Sequence, residues 1–287
     1  MGCRHLKKKH VCHNHGTYKL VEKKHLEETM WLNSYVVGHY RPQDMSVTMC
    51  AKSAFHLTNE TVNIWSHLLG FLYFSHQQYQ VNFKVLPSLG SHTADHAVLT
   101  ASLFGMQMCM LLSACYHVFG CTSPEQRRQW LKMDIFGISA GLLGMYLYFF
   151  ERKIIGSRVG LLHMVYCMVI AFGICPTIHW VFLHGGFDSH HVSKWFPSVV
   201  VLYSMIATAF LFYVSMFPER VWPGKFDVIG CSHQWWHLFI LAAMVYWQNA
   251  GIDLLRHYRS DDSVCLLNRN YSYIQTIQYP SNISQLH

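Results

Sequence analysis

Long apolar segments alternate with short polar stretches along most of the chain. Six runs are nearly free of charged residues and long enough to cross a bilayer as helices, since about 20 apolar residues span its hydrocarbon core. They cover residues 62–81, 97–120, 133–150, 159–184, 196–217 and 230–252. The first run is the weakest, because Ser75, His76, Gln77 and Gln78 interrupt it. The pattern predicts six membrane-spanning helices.

Composition restricts the class of protein further. Of the 287 residues, 52% are hydrophobic and only 13% are charged, a low charged fraction for a soluble protein. A water-soluble globule and a disordered chain are therefore both excluded. Backbone groups in lipid must bond to one another, and no alternating pattern indicates a membrane barrel. We therefore predict an all-α, polytopic transmembrane helical bundle.

The basic residues indicate how this bundle is oriented. The net charge is +7, and seven of the 22 basic residues fall within the first 24 residues. Short segments rich in Lys and Arg stay on the cytosolic side of a membrane. The N-terminal tail and the loop that carries Arg127, Arg128 and Lys132 should therefore both face the cytosol.

A similar positive charge on a soluble protein would suggest nucleic-acid binding. Here the charge is concentrated in a terminal tail, and we predict no nucleic-acid partner. The tail either contacts anionic lipid or is solvated and contacts nothing. The chain then divides into a cytosolic basic region at residues 1–56, the bundle at residues 57–258 and a C-terminal tail at residues 259–287.

Polar side chains at membrane depth are candidates for a functional site, because burying them in lipid is unfavourable. Four groups lie near the ends of predicted helices: Glu60 with Asn63 and His67, Ser113 with His117, Asp134 alone, and His233 with His237. We expect the first group to form a polar interior of the bundle. The two histidines of the last group are four residues apart, so they share a helix face and could bind one zinc ion.

A meeting of His117 with His233 and His237 would give three nitrogen ligands and an open position, as in catalytic zinc sites. Zinc lowers the pKa of a bound water to about 7. Asp134 would accept a proton from that water or orient it, and Ser113 would hydrogen-bond to a ligand or substrate. The alternative is a chance spacing among 21 histidines, with the pair interfacial or hydrogen-bonded in a core.

Three motifs occur in the order typical of one membrane-protein family. Residues 57–70 (LTNETVNIWSHLLG) contain Glu-x-x-Asn-x-x-x-His, residues 113–117 (SACYH) are followed by Asp134, and residues 233–237 read HQWWH. With the loop 218–224 (PERVWPG), these motifs make the chain similar to the progestin and adipoQ receptor (PAQR) family, relatives of the hemolysin III proteins.

The resemblance covers residues 30–258. It implies a seven-span fold with a cytosolic N-terminus and a zinc ion near the cytosolic face. It places the zinc ligands at His117, His233 and His237, and it gives Asp134 the role of holding a water. It also implies that the protein is a membrane receptor or signalling scaffold.

Residues 176–186 (PTIHWVFLHGG) and the first motif are most similar to the Golgi-resident branch of the family, which tethers Raf kinase through its cytosolic N-terminal region. We therefore expect an integral, multi-pass protein of the Golgi rather than the plasma membrane, with membrane lipid and a Raf-like kinase as partners. One alternative is a zinc-dependent lipid amide hydrolase acting on ceramide-like substrates, as some relatives are thought to be. Another is an inactive, shortened isoform.

The helix count departs from the family pattern. Residues 133–184 number only 52, which is room for two helices rather than three, so we expect the family's fourth helix to be missing. The last helix would then enter from the opposite side, with His233 and His237 about 30 Å from His117, and no zinc site would form. Either one segment is re-entrant or partly inserted, or the chain is a shortened splice form or gene model. We favour the shortened form.

Overall fold

The computed structural model describes residues 18–140, 174–175 and 177–260. Its longer helices are α1 (Val47–Ser53), α2 (Thr61–Gln80), α3 (Thr93–Phe119), α4 (Pro124–Ala140), α5 (His190–Ser215) and α6 (Ser232–Ser260). A π-helical turn, Val81–Val85, extends α2 into Leu86–Ser88, and residues 177–183 are also helical. Within the described ranges, the only β structure is an isolated bridge between Val21 and Tyr40. The predicted all-α class is confirmed.

Three of the described helices are long and apolar enough to cross a membrane: α3, α5 and the part of α6 from Ser232 to His257. They coincide with the second, fifth and sixth predicted spans. The first predicted span is helical as α2, but its polar segment leaves it outside this set. The third and fourth predicted spans fall largely on residues 141–173, outside the described residues, as does the expected loss of a fourth helix.

The helices pack side by side, with α2 between α3 and α6. On the outer side of α3 lies α4, and α5 packs against α6. The apolar core fills the middle of this arrangement and includes Phe74, Val81, Leu86, Leu103, Cys109, Met110 and Ile252. Because the core joins α2, α3 and α6, it sets the relative position of the three helices that carry the predicted site histidines and their neighbours.

Residues before α1 pack onto the segment between α5 and α6. The backbone N–H groups of Val37 and Gly38 donate to the carboxylate of Asp227, at 3.0 and 2.7 Å. Gly224 donates from its backbone to the carbonyl of Tyr35 at 3.3 Å. These contacts join parts of the chain nearly 190 residues apart in sequence, and they cover the end of the bundle where α6 begins.

Helices α3 and α4 approach closely at Gly137. A Cβ atom at this position would lie 3.2 Å from both the Cα of Cys109 and the carbonyl oxygen of Met108, which are backbone atoms and cannot move aside easily. At Gly251 on α6, in contrast, a Cβ would meet nothing within 4 Å. Gly137 is therefore a packing requirement of this helix pair, and Gly251 is not.

We expect Gly137→Val to lower the free energy of unfolding by about 1–3 kcal/mol, because an overpacked interface must separate. Gly251→Val should change it by less than about 0.5 kcal/mol. Chemical unfolding of both variants in detergent micelles measures the difference. Equal effects at the two glycines would show that the α3–α4 approach is looser than described.

Candidate metal centre

Three histidines converge where α3 ends and α6 begins. One ring nitrogen from each of His117, His233 and His237 lies within 4.8 Å of the other two. The His233 and His237 rings meet edge to face on successive turns of α6, with their Nε2 atoms 3.2 Å apart. His117 and His237 are only 4% and 2% exposed. The described residues contain no other group of three or more potential metal ligands this close together.

This convergence corrects the prediction that His233 and His237 lie about 30 Å from His117. The His117 ring centroid is 5.4 Å from that of His233 and 4.7 Å from that of His237. That prediction was wrong because it assumed that each apolar run in residues 133–184 crosses the membrane once, in alternating directions. The position at which α6 begins is set instead by its packing against the other helices. The side chain of Gln234, buried in the first turn of α6, donates to the carbonyl of Asn59 at 3.4 Å, which places this end beside the start of α2.

A carboxylate determines which nitrogen of His117 is available. Glu60, directly before α2, has its Oε2 atom 2.8 Å from Nδ1 of His117. The same oxygen accepts a hydrogen bond from the amide of Asn63 at 2.7 Å. Since a carboxylate accepts, Nδ1 carries a proton, and in the neutral ring the lone pair then lies on Nε2, where it can bind a ligand. This Nε2 is buried and has no hydrogen-bond partner among the described residues.

The backbone around His117 is held by Arg41, which the sequence analysis did not single out as a site residue. Its buried guanidinium donates to the carbonyls of His117 and Val118, the latter at 2.8 Å, and to the hydroxyl of Ser53 at 2.9 Å. Carbonyls in the last turn of a helix lack intrahelical partners. A cation there donates hydrogen bonds to them and interacts favourably with the negative end of the helix dipole. Arg41 thus positions the end of α3 on which His117 lies.

A fourth imidazole borders the cluster. His67 on α2 is 4% exposed, and its ring centroid lies 3.9 Å from that of His237. Both of its ring nitrogens are buried with no hydrogen-bond partner in the described part of the chain. The predicted interior position of Glu60, Asn63 and His67 matches this placement, but the sequence did not show that Glu60 contacts His117 directly.

The two predicted catalytic residues lie against each other beside the cluster. Ser113 is buried on α3 one turn before His117, and its hydroxyl is within hydrogen-bonding reach of the Asp134 carboxylate on α4. The Oδ1 atom of Asp134 is buried and makes no hydrogen bond within the described ranges. This atom is therefore available to accept a hydrogen bond from a ligand or a water.

The start of α6 is fixed by a carboxylate that the sequence analysis quoted only as part of the PERVWPG loop. Glu219 is completely buried and accepts hydrogen bonds from the backbone N–H of Ser232 at 2.7 Å and from its hydroxyl. It also accepts from the amide of Asn33 at 2.7 Å, which belongs to the region before α1. Because Ser232 immediately precedes His233, this network sets where α6 presents its histidines.

The sequence comparisons agree with the motifs at this site. A family model described as "Haemolysin-III related" matches residues 55–155 and 156–248. A human protein named "Progestin and adipoQ receptor family member 3" is 35% identical over 261 residues, which cover 79% of this chain and 83% of the relative. The chain belongs to the progestin and adipoQ receptor family.

More distant PAQR relatives cover much of the chain as well. A Drosophila melanogaster protein named "Adiponectin receptor protein" is 29% identical over 283 residues, which is 87% of this chain and 62% of the relative. An Arabidopsis thaliana protein named "Heptahelical transmembrane protein 1" is 27% identical over 252 residues, or 75% of each chain.

The donor set of this PAQR protein fits zinc. Three imidazoles suit zinc, and a three-histidine set leaves a fourth coordination position open, whereas Mg²⁺ and Ca²⁺ prefer oxygen ligands. Metal-binding histidines commonly donate their second N–H to a carboxylate, as His117 does to Glu60. The Nε2 atom of His117 has no hydrogen-bond partner among the residues that the structure describes, so its lone pair is free to bind the ion. His117, His233 and His237 are therefore the residues that would hold the ion.

We expect Glu60→Ala to weaken zinc binding by about 10–100-fold, the range typical of losing such an outer partner. Without the carboxylate, the His117 ring is neither held in place nor fixed in the tautomer that exposes Nε2. Titration of the purified protein with a competing zinc chelator measures the affinity. Glu125→Ala, at an exposed carboxylate in the first turn of α4, is the control and should leave the affinity unchanged.

Proposed function

We propose that this chain is a multi-pass membrane receptor or signalling scaffold with a zinc centre formed by His117, His233 and His237. The convergence of three imidazoles within 4.8 Å, those of His117 and His237 buried and that of His233 partly buried, carries the proposal. Zinc bound there would supply a Lewis acid and a position open to a ligand. Around it, Glu60 orients His117, Arg41 holds the end of α3, and the hydrogen bonds of Glu219 hold the start of α6.

Metal analysis of the full-length protein tests the zinc centre. Purified in detergent and dialysed, the chain is expected to retain one zinc per molecule by inductively coupled plasma mass spectrometry. Magnesium, calcium and iron should remain at background. A zinc-free preparation that also fails to take up added zinc would contradict the proposal.

We further propose that the metal centre lies near the cytosolic face, with residues 1–56 cytosolic, residues 57–258 in the bundle and residues 259–287 as a tail. Arg127 belongs to the basic segment expected in the cytosol, which the structure shows as the first part of α4 and not as a loop. It lies at the same end of the bundle as His117, and its guanidinium is 5.1 Å from the Tyr116 ring. An odd number of crossings, as in a seven-span bundle, would bring α6 in from the cytosolic face and place the tail outside the cytosol. Asn270 and Asn282 in the tail are each followed two residues later by serine, so they form glycosylation sequons. Glycans at these sites would support this orientation, and unmodified sites in cells that glycosylate a control reporter would contradict it.

The proposed location is the Golgi membrane, and the proposed partner of the cytosolic region is a Raf-like kinase. Support comes from the similarity of residues 57–70 and 176–186 to the Golgi-resident branch. The structure limits which N-terminal deletion can be used to test this. Deletion of residues 1–55 would also remove Arg41 and α1, and thereby disturb the metal centre.

The cleaner comparison uses the full chain, a variant lacking residues 1–17, and a variant lacking residues 1–55. Each is co-expressed with a fluorescent Raf kinase, and kinase recruitment to Golgi membranes is measured. We expect recruitment by the full chain and its loss in both deletions. The shorter deletion leaves Arg41 and α1 in place, so its loss of recruitment cannot come from a disturbed metal centre. Equal recruitment by all three would contradict tethering through this region.

A second candidate function is a zinc-dependent amide hydrolase for ceramide-like lipids. The observation in its favour is that the Oδ1 of Asp134, which has no hydrogen-bond partner in the described part of the chain, and the hydroxyl of Ser113 lie beside the histidine cluster. Asp134 could accept a proton there, and Ser113 could bind a substrate oxygen. Incubation with a fluorescent ceramide should release fatty acid from the wild type and not from Asp134→Asn. Equal release by both proteins would exclude this activity.

A further inference from the structure

Two cysteine thiols lie in contact at the end of the bundle that carries the metal centre. The Sγ atoms of Cys50, on α1, and Cys121, in the turn after α3, are 3.2 Å apart. The two residues are 71 positions apart in sequence, so the contact is tertiary rather than local. Neither residue belongs to the motifs that indicate zinc. A disulfide requires about 2.05 Å between the sulfur atoms, so an approach of roughly 1 Å would bond them.

The surroundings hold this pair in place. Cys50 is fully buried and Cys121 is 5% exposed, and both pack in an apolar cluster with Met45. The backbone N–H of Met45 donates to the carbonyl of Cys121 at 3.4 Å, which ties the two segments together beside the thiols. The sulfurs therefore face each other in a fixed arrangement and do not depend on a chance encounter of mobile loops.

The two thiols differ in their electrostatic environment. The hydrogen bond between the two thiols lowers the pKa of Cys121, burial opposes this effect, and the nearby Arg41 guanidinium lowers the pKa further. The same hydrogen bond and burial raise the pKa of Cys50. Both groups lie outside the membrane-spanning helices. Because the thiolate is the nucleophile in cysteine chemistry, Cys121 is the attacking member and Cys50 the partner that resolves the product.

We propose that Cys50 and Cys121 form a reversible dithiol–disulfide site that is oxidised by a peroxide. The Cys121 thiolate attacks one oxygen of hydrogen peroxide, the O–O bond breaks, and the departing hydroxide takes up a proton to leave as water. The resulting sulfenic acid is attacked by the Cys50 sulfur. Its hydroxyl leaves and takes up the Cys50 proton as a second water, while the S–S bond forms.

This site is coupled to the end of α3 through Arg41. The guanidinium donates to Ser53, the last residue of α1, and to the carbonyls of His117 and Val118. A disulfide would lock α1 to the turn that follows these carbonyls. If this end faces the cytosol, as proposed above, glutathione would keep the thiols reduced at rest, so the bond would form and break rather than persist.

The test uses the purified full-length protein in detergent. It is treated with hydrogen peroxide, quenched with N-ethylmaleimide, digested without reductant and analysed by mass spectrometry. We expect one intramolecular link between the peptides of Cys50 and Cys121, loss of two thiols per chain, and full reversal by dithiothreitol. This readout requires no zinc and no lipid activity, so it fails or succeeds independently of the proposed function.

Single variants separate the roles of the two thiols. In Cys121→Ala, no intramolecular link can form, and oxidation of Cys50 should slow by about tenfold, since burial still raises the pKa of its thiol after the hydrogen bond to Cys121 is lost. In Cys50→Ala, Cys121 should stop at the sulfenic acid, which dimedone traps. Cys231→Ala, at a buried cysteine outside the pair, should leave the link unchanged. Maleimide-labelled Cys50 and Cys121 after peroxide treatment of the wild type, or a link to another cysteine, would overturn the proposal.

Discussion

Zinc binding is expected to fall by about 100-fold or more when His237 is replaced with alanine, because loss of even an outer partner lowers metal affinity by about 10–100-fold. His237 is nearly fully buried, and its ring contacts those of His117 and His233. Alanine at this position leaves two of the three converging nitrogens and opens a space where the ring had packed. The purified variant should contain almost no zinc after dialysis.

The matched control is His184→Ala. His184 packs on another histidine, His191, with ring centroids 4.5 Å apart, but it is exposed and precedes α5, at the end of that helix away from the metal centre. Its loss should leave the zinc content at the wild-type level. Equal zinc in His237→Ala and His184→Ala would mean that the three-histidine cluster is a structural core and not a metal site.

The second large effect is expected at Glu219. Replacing this fully buried carboxylate with alanine removes the acceptor of three hydrogen bonds, from Asn33 and from the backbone and hydroxyl of Ser232. Leaving buried donors unsatisfied costs about 1–3 kcal/mol for each group. We therefore expect Glu219→Ala to lower the free energy of unfolding by about 3 kcal/mol or more, measured by chemical unfolding in detergent.

This variant should also weaken zinc binding, because Ser232 immediately precedes His233 at the start of α6. Glu28→Ala, at an exposed carboxylate before α1, should change the free energy of unfolding by less than about 0.5 kcal/mol. If Glu219→Ala unfolds at the wild-type denaturant concentration, the network does not fix α6. If it is destabilised but binds zinc with unchanged affinity, the network stabilises the fold without positioning His233.

Four of the site residues can be recognised from the sequence alone, for two physical reasons. His233 and His237 share a helix face through their spacing, and His117 and Asp134 are polar residues at the ends of apolar runs, where lipid disfavours them. Local periodicity and the unfavourable burial of polar groups are properties of short segments. They therefore report on a single helix at a time and need no knowledge of the partner helix.

The supporting residues could not be found in this way. Arg41 and Glu219 lie in polar stretches outside the apolar runs, where a charged residue is ordinary, and only their burial against the end of α3 and the start of α6 marks them. The contact between Cys50 and Cys121 likewise joins segments 71 residues apart. No spacing within either segment indicates the other.

Patterns within short segments of the chain are enough to specify the helical membrane class, three apolar helices that the structure confirms, the family and the set of candidate ligands. That these ligands meet follows from the packing of the helices. The direction in which α6 runs depends on how Gln234 and Glu219 bind to Asn59 and Ser232, and not on the number of apolar runs before it. The tendency of a segment to enter a membrane is a sum over its own residues, whereas the relative placement of two helices is set by contacts between residues far apart in sequence.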